Sequence, residues 1–286
     1  MNRADLWTID RFPPLLDPKG RVKTDSRLDP AVKVDAHCRL PWAGLKATPD
    51  DGARAVSEIL YGEPVAILEQ AGAWVKVVNL MDAYVGWAQA SGFERIGGLV
   101  ASHRVTAGIT HLYSDPDLKA EPVMPLPMGA LVSLADDVPR QRFLPLSHGG
   151  WIFSGHVAPL CAAPALDIAT VAERFIGTPY LWGGRTFMGL DCSGLVQLAM
   201  AAVGRRVHRD SDLQRESIGT PLGDGEAPSR GDLAFFPGHV GVMVDETRMI
   251  HANATHMAVT INRVSEVADW LTAEGKNPAF LGYRRP

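Results

Sequence analysis

The texture of the sequence changes near residue 160, and no single regular architecture accommodates both sides of the change. Before it stand short apolar runs between turn signals: EPVAILEQ, AWVKVVNL, YVGWAQ, ALVSLA and WIFSGHVAPL. Runs of this length and spacing predict small all-β barrels. After it the spacing turns helical. DIATVAERFI, residues 167–176, has Asp167 in position to cap a helix. DCSGLVQLAMAAVG places Leu195, Leu198, Ala199 and Ala202 on one helical face, with Gly204 positioned to end it. A polar loop over 205–230 follows, then strands at DLAFF, HVGVMVD, MIHAN and VTINRV. Helix, helix, then several strands is an α+β order.

The β-rich half contains a weak internal repeat. LKATPDDGARAVSEILYGEPVAIL is echoed by HLYSDPDLKAEPVMPLPMGALVSL, each with a polar Pro-Asp turn, a glycine and then an apolar strand. GAWVKVV is echoed by GGWIFSG. Two tandem barrels of five or six strands are expected, joined near residue 100, with one irregular β-domain as the alternative. The chain then divides into an arm over 1–34, barrels over 35–99 and 100–162, and an α+β domain over 163–286. The arm is rich in Asp, Pro, Lys and Arg and has no periodicity.

Charge and cysteine usage exclude several classes. The 28 basic and 32 acidic side chains leave a formal charge of −4, which offers neither nucleic acid nor an anionic membrane a basic surface. Asp5, Asp10 and Arg11 interrupt the apolar run that a secretory signal needs, and no segment approaches bilayer length. A cytoplasmic location is expected, although a chain trimmed of its leader would read the same way. Cys38, Cys161 and Cys192 are odd in number and far apart, poor material for a disulfide framework. Neither CxxC nor HExxH is present, so no metal or other cofactor is expected. A monomer is expected.

One cysteine stands where chemistry favours it. Cys192 falls in the first turn of the predicted helix, where backbone N–H groups lack intrahelical partners and the dipole is positive. Both favour the thiolate, the nucleophilic form. Asp191 beside it can cap the helix. A cysteine nucleophile needs a base, and the base needs an orienting group. His239 precedes the strand VGVMV and His251 ends the strand RMI, 12 residues on. A hairpin between them could set the two imidazoles side by side and fix a tautomer.

The string TPYLWGG, LDCSGLV, GDLAFFPGHVGVMV, MIHA over about 165–285 resembles the NlpC-type cell-wall peptidases, a papain-like cysteine peptidase group. The β-rich half resembles tandem bacterial SH3-like domains, most clearly through SEILYGE, WVKV and DAYVGW. The implied architecture is a papain-like α+β domain preceded by two SH3-like barrels. The resemblance implies Cys192 as nucleophile, His239 as base and His251 as the third polar residue. Tyr180 and the Cys192 N–H would supply the oxyanion donors. With SH3-like domains in front, it implies a γ-D-glutamyl-L-diamino-acid dipeptidyl-peptidase acting on murein peptides with a free L-Ala amine, in cell-wall peptide recycling. Such an ammonium needs carboxylate or hydroxyl acceptors. Asp210 and Ser211 of HRDSDLQ match the family's substrate segment, and Tyr84 matches the barrel tyrosine that reaches the site. Trp182, Ser193, Asp191 and Glu58 complete the expected substrate wall. Alternatives are a papain-like amidase or acyltransferase on another substrate, a secreted cell-wall hydrolase, or a wall-binding protein with a dead catalytic domain.

Overall fold

The computed structural model describes residues 34–95, 100–162 and 166–286. The expected arm lies outside them except for Val34. The described residues form two compact units, divided at about residue 164.

The first unit holds both barrels. The first barrel has seven strands: β1 (Ala36–Cys38), β2 (Trp42–Lys46), β3 (Ala55–Leu60), β4 (Pro64–Ala71), β5 (Trp74–Asn79), β6 (Val85–Gln89) and β7 (Phe93–Glu94). Its sheet order is β3-β2-β6-β5-β4-β1-β7. Leu45, Ile59, Val65, Val77 and Ala88 fill its core. The second has β8 (His103–Val105), β9 (Ile109–Tyr113), β10 (Pro122–Pro127), β11 (Leu131–Val132), β12 (Phe143–Pro145), β13 (Trp151–Phe153) and β14 (Val157–Pro159). Its two sheets run β10-β9-β13-β12 and β11-β8-β14. Read end to end, this is the first barrel's order strand for strand, broken only between β12 and β11. Each barrel thus has seven strands, not five or six. WIFSGHVAPL is two strands, because a 3₁₀ turn at Ser154–His156 bends the chain between them. The proline-rich β10 is tolerated because it lies at a sheet edge.

Pairing corrects one register in the expected repeat. Trp87 of β6 stands opposite Lys46, the last residue of β2. Trp151 of β13 stands opposite Tyr113, the last residue of β9. Trp151 therefore takes the place of Trp87, not of Trp74. His148-Gly149-Gly150-Trp151 occupies the position of Tyr84-Val85-Gly86-Trp87, and the second barrel carries a histidine where the first has Tyr84. A glycine shortly before a tryptophan occurs near both β5 (Gly72, Trp74) and β6 (Gly86, Trp87), and hydrogen-bond register separates the two matches.

The turn after β3 joins the barrels. Gly62 has φ +76°, and a Cβ there would lie 2.0 Å from the Leu131 carbonyl oxygen. The Leu131 N–H donates to the Tyr61 carbonyl at 2.8 Å. The Tyr61 side chain packs against the second barrel's core of Leu112, Leu126, Leu144 and Ile152.

The second unit contains α1 (Ile168–Glu173), β15 (Arg185–Thr186), β16 (Gly189–Leu190), α2 (Cys192–Ala202), α3 (Ser211–Ser217) and β17 (Thr220–Pro221). Then come β18 (Leu233–Phe236), β19 (His239–Met243), β20 (Arg248–Asn253), β21 (Ala258–Arg263), α4 (Val264–Ala273) and β22 (Gly282–Arg285). The antiparallel sheet runs β17-β22-β18-β19-β20-β21. Asp167 caps α1 by accepting from the Thr170 N–H at 2.8 Å. The segment expected as a polar loop contains α3 and β17. VTINRV ends one residue early, because Val264 opens α4. On one sheet face Ala234, Phe236, Met243 and Met249 pack against Val264 and Val267 of α4. Side-chain alternation puts His239 on the Met243 face of β19 and His251 on the Met249 face of β20. A Cβ on Gly241 would lie 2.5 Å from the Met249 sulfur, which accounts for the glycine of HVG.

Gly62→Ala should destabilise the chain by at least about 2 kcal/mol, from the left-handed backbone plus the clash. Gly72→Ala, at φ +60° with open space around it, should lose only the backbone share, about 1 kcal/mol. Urea unfolding midpoints of the two variants check the difference.

Candidate active site

Segment 177–194 is held mostly by backbone contacts. The Gly177 N–H donates to Val259 O at 2.9 Å, the Val259 N–H to Thr178 O at 2.8 Å and the Tyr180 N–H to Met257 O at 2.9 Å. On its other side the Leu181 N–H donates to Leu190 O at 2.9 Å. Glycines let these strands touch the helix. A Cβ on Gly184 would lie 2.3 Å from Gly189 O, one on Gly189 2.4 Å from Leu181 Cβ, and one on Gly194 2.4 Å from Gly184 O. The glycines of WGG, GLD and DCSG are therefore required by close packing.

Asp191 fixes the end of α2. Its Oδ1 accepts from the Gly194 N–H at 2.8 Å and its Oδ2 from the Gly183 N–H at 2.9 Å. The buried Arg209 guanidinium grips the same carboxylate, Nη1 to Oδ1 at 2.9 Å and Nη2 to Oδ2 at 2.6 Å. Arg209 Nη1 also donates to Ser193 Oγ at 2.8 Å. Gln214, fully buried, donates from Nε2 to Ser193 O at 3.0 Å and to His208 O at 2.8 Å. Helix cap, tryptophan-glycine loop and the 208–211 segment thus meet at one carboxylate. Both oxygens of Asp191 are engaged by protein donors, so its carboxylate is a scaffold for the end of α2. Ser193 lies in the same network.

Cys192 is the first residue of α2, and its sulfur accepts from the Val240 amide, next to His239. His239 opens β19 after a turn at Gly238, φ +73°. Its Nε2 lies 2.7 Å from His251 Nδ1. His251 is fully buried, with its ring 15° from parallel to Trp270 at 6.4 Å. The three residues expected as nucleophile, base and orienting group, Cys192, His239 and His251, are therefore all carried by this unit. Tyr180 is half-buried, and Trp182 in the same loop is 52% exposed. Asp210 stands in the N-cap position of α3 and Ser211 is its first residue. Tyr84 and Glu58 belong to the other unit. The Tyr84 amide donates to Asp82 Oδ1 at 3.0 Å and its side chain packs on the first barrel's core, while Glu58 is a buried residue of β3.

The electrostatics differ from the helix-tip expectation. Burial and the Asp191 carboxylate push the Cys192 thiol up to about 12, although the Val240 amide and Arg209 oppose the shift. Burial and His251 bring His239 down to about 3, and burial brings His251 down to about 4. A helix terminus contributes about 0.3–2 kcal/mol, too little to outweigh the desolvation of a thiolate. Both shifts favour a thiol facing a neutral imidazole over an ion pair. Sequence reasoning did not assign roles to Arg209, Gln214, Asn253, Thr260 or Asn262. For Arg209 a signal was available: a capping carboxylate buried beside a nucleophile demands a cation, and HRDS supplies one.

Residues 177–272, which include Cys192, His239 and His251, match the NlpC/P60 family, and residues 45–93 match the bacterial dipeptidyl-peptidase SH3 domain. Dipeptidyl-peptidase 6 of Lysinibacillus sphaericus is 27% identical over 245 residues, covering 78% of this chain and 89% of that protein. The γ-D-glutamyl-L-lysine dipeptidyl-peptidase of Bacillus subtilis is 27% identical over 234 residues, covering 73% and 76%. The crystal structure of an NlpC/P60 family protein from Bacillus cereus superposes with a TM-score of 0.73 at 20% identity, covering 87% of this chain and 98% of the other. That likeness establishes the fold.

Two outcomes test the site. Alkylation of Cys192 by iodoacetamide should be slow at neutral pH and rise steeply above about pH 8.5, the ordinary thiol range. A rate that is flat across neutral pH would instead mark a resting ion pair. Arg209→Leu, which strands the Asp191 carboxylate, should destabilise the chain by about 3–5 kcal/mol in denaturant titration.

Proposed function

The chain belongs to the NlpC/P60 family of cysteine peptidases, and on that premise we propose that it hydrolyses the bond between γ-D-glutamate and a diamino acid in murein stem peptides that begin with a free L-Ala amine. The observation that carries this reading is the 2.7 Å contact of His239 Nε2 with His251 Nδ1, beside a helix-tip sulfur bonded to the Val240 amide. Relatives named dipeptidyl-peptidase and γ-D-glutamyl-L-lysine dipeptidyl-peptidase support the choice of bond.

Cys192 is the nucleophile. As its sulfur attacks the γ-carbonyl carbon, the thiol proton passes to His239 Nδ1, the ring nitrogen that does not face His251. The Cys192 N–H has no partner within the helix and, with the Tyr180 hydroxyl, stabilises the oxyanion. His239 then gives the proton to the departing amine of the diamino acid. The C–N bond breaks and a thioester remains on Cys192. Water, deprotonated by His239, hydrolyses the thioester and releases L-Ala-γ-D-Glu.

The substrate ammonium needs buried acceptors, because an unpaired charge removed from water costs several kcal/mol. Asp210 and Ser211 supply a carboxylate and a hydroxyl at the start of α3, and Trp182 supplies an exposed aromatic surface. The resemblance assigns Tyr84, with Glu58 as a second candidate, to recognition of the amine end of the substrate. Such a peptidase works on released peptides rather than intact wall, which fits recycling in the cytoplasm.

Mass spectrometry of L-Ala-γ-D-Glu-diaminopimelate digests tests this reading. Free-amine tripeptide should yield the dipeptide and diaminopimelate, and Cys192→Ala should yield neither. N-acetylation should reduce kcat/KM by about 10- to 100-fold, the loss of one charged hydrogen bond. Equal cleavage of both peptides would refute recognition of the amine. Tyr84→Ala should selectively weaken cleavage of the free-amine peptide, and wild-type rates would remove Tyr84 from amine recognition.

A further inference from the structure

We propose that Asn262 is a positioning residue that sets the tautomer of the base, acting through His251. The proposal rests on His239 being the base. It follows from the direction of hydrogen bonds along β20, β21 and α4.

The direction is fixed from two ends. At one, Asn253 Oδ1 accepts from the His256 backbone N–H at 2.8 Å. A backbone amide can only donate, so Asn253 must turn its Nδ2 toward Thr260. That nitrogen donates to Thr260 Oγ1 at 2.8 Å and to Ala258 O at 3.3 Å. The Thr260 hydroxyl, with a donor already on its oxygen, sends its own hydrogen to Asn262 Oδ1 at 2.7 Å. At the other end, Asn262 Nδ2 faces Glu266 Oε2 at 3.4 Å. That same carboxylate oxygen accepts from the Arg263 N–H at 3.0 Å, which anchors it at the start of α4. Both ends require Asn262 to present its oxygen inward.

That oxygen lies 3.2 Å from His251 Nε2, nearer than Asn253 Nδ2 at 3.4 Å, whose two hydrogens go to Thr260 Oγ1 and Ala258 O. An amide oxygen only accepts, so the hydrogen of the neutral His251 ring is on Nε2. Nδ1 of His251 is then a lone pair, and at 2.7 Å it takes the hydrogen of His239 Nε2. Nδ1 of His239 is left bare. This is the nitrogen that must receive the Cys192 proton. Had Asn262 been turned the other way, each ring would carry its hydrogen on the opposite nitrogen, and His239 would face the sulfur with an N–H. Register supports the pathway. His251 pairs with Thr260 and Met249 with Asn262, so all three polar groups share one sheet face.

The experiment uses the full chain. Long-range ¹H–¹⁵N correlation of the imidazole nitrogens should show hydrogen on Nε2 of both His239 and His251 at neutral pH. Hydrogen on Nδ1 of either ring would overturn the proposal whatever the activity. Asn262→Ala should lower kcat by about 10- to 100-fold, the usual effect of removing an outer partner of a functional histidine, with KM little changed. Asn262→Asp keeps an acceptor and should recover part of that loss. Its carboxylate favours the imidazolium, so the acid limb of the rate profile should move to higher pH. A folded Asn262→Ala enzyme with wild-type kcat, or an Asn262→Asp enzyme with an unmoved acid limb, would overturn the proposal. His239→Ala separates this from failure of the base assignment. If that variant remains active, His239 is not the base, and the Asn262 measurements then concern a structural network alone.

Discussion

The catalytic unit is organised around one buried ion pair, Asp191 with Arg209. The carboxylate caps α2, takes the Gly183 amide of the tryptophan-glycine loop and holds a guanidinium carried on the segment before α3. Three separate stretches within residues 183–209 are referred to one pair of oxygens. Removing an ion pair from water is expensive, and attraction compensates only when every remaining lone pair and proton finds a partner. Here the two carboxylate oxygens receive four close hydrogen bonds from Gly194, Gly183 and Arg209. The arrangement fixes where the first residue of α2 stands, and that residue is Cys192.

Around this centre the polar chemistry is layered by strand register. His239 and His251 project from the same sheet face as the core of Met243, Met249 and α4, so the imidazoles rest on apolar packing while their outer nitrogens reach side chains of β21. A neutral imidazole can hold only one proton, and a chain of acceptors and donors decides which nitrogen holds it. The reaction's first proton transfer is thereby prepared by residues that touch neither sulfur nor substrate.

Much of this was legible in the sequence, and the gaps have physical causes. α2 was readable because eleven residues give the helical period time to repeat and Asp191 announces the start. α3 has seven residues, about two turns, and its polar composition hid it within a loop. α4 escaped because β21 runs into it without glycine or proline, and Glu266 rather than a small polar residue satisfies the first amide. The two histidines could be paired from their spacing. Asn262 could not, since its role depends on which way an amide faces. Sequence reasoning also assigned a thiolate to the helix tip; the neighbouring carboxylate and the depth of burial act more strongly than the dipole. The barrels were visible as a repeat, but the correspondence of Trp151 with Trp87 emerged only from pairing.

That resting state of the sulfur has a consequence for survival of the enzyme. Peroxide attacks thiolates at exposed positions, and a cysteine that keeps its proton and is buried is a poor target for it. Cys192 combines both protections, in contrast to the exposed Cys161. Burial and a retained proton both disfavour sulfenic acid formation on the idle Cys192.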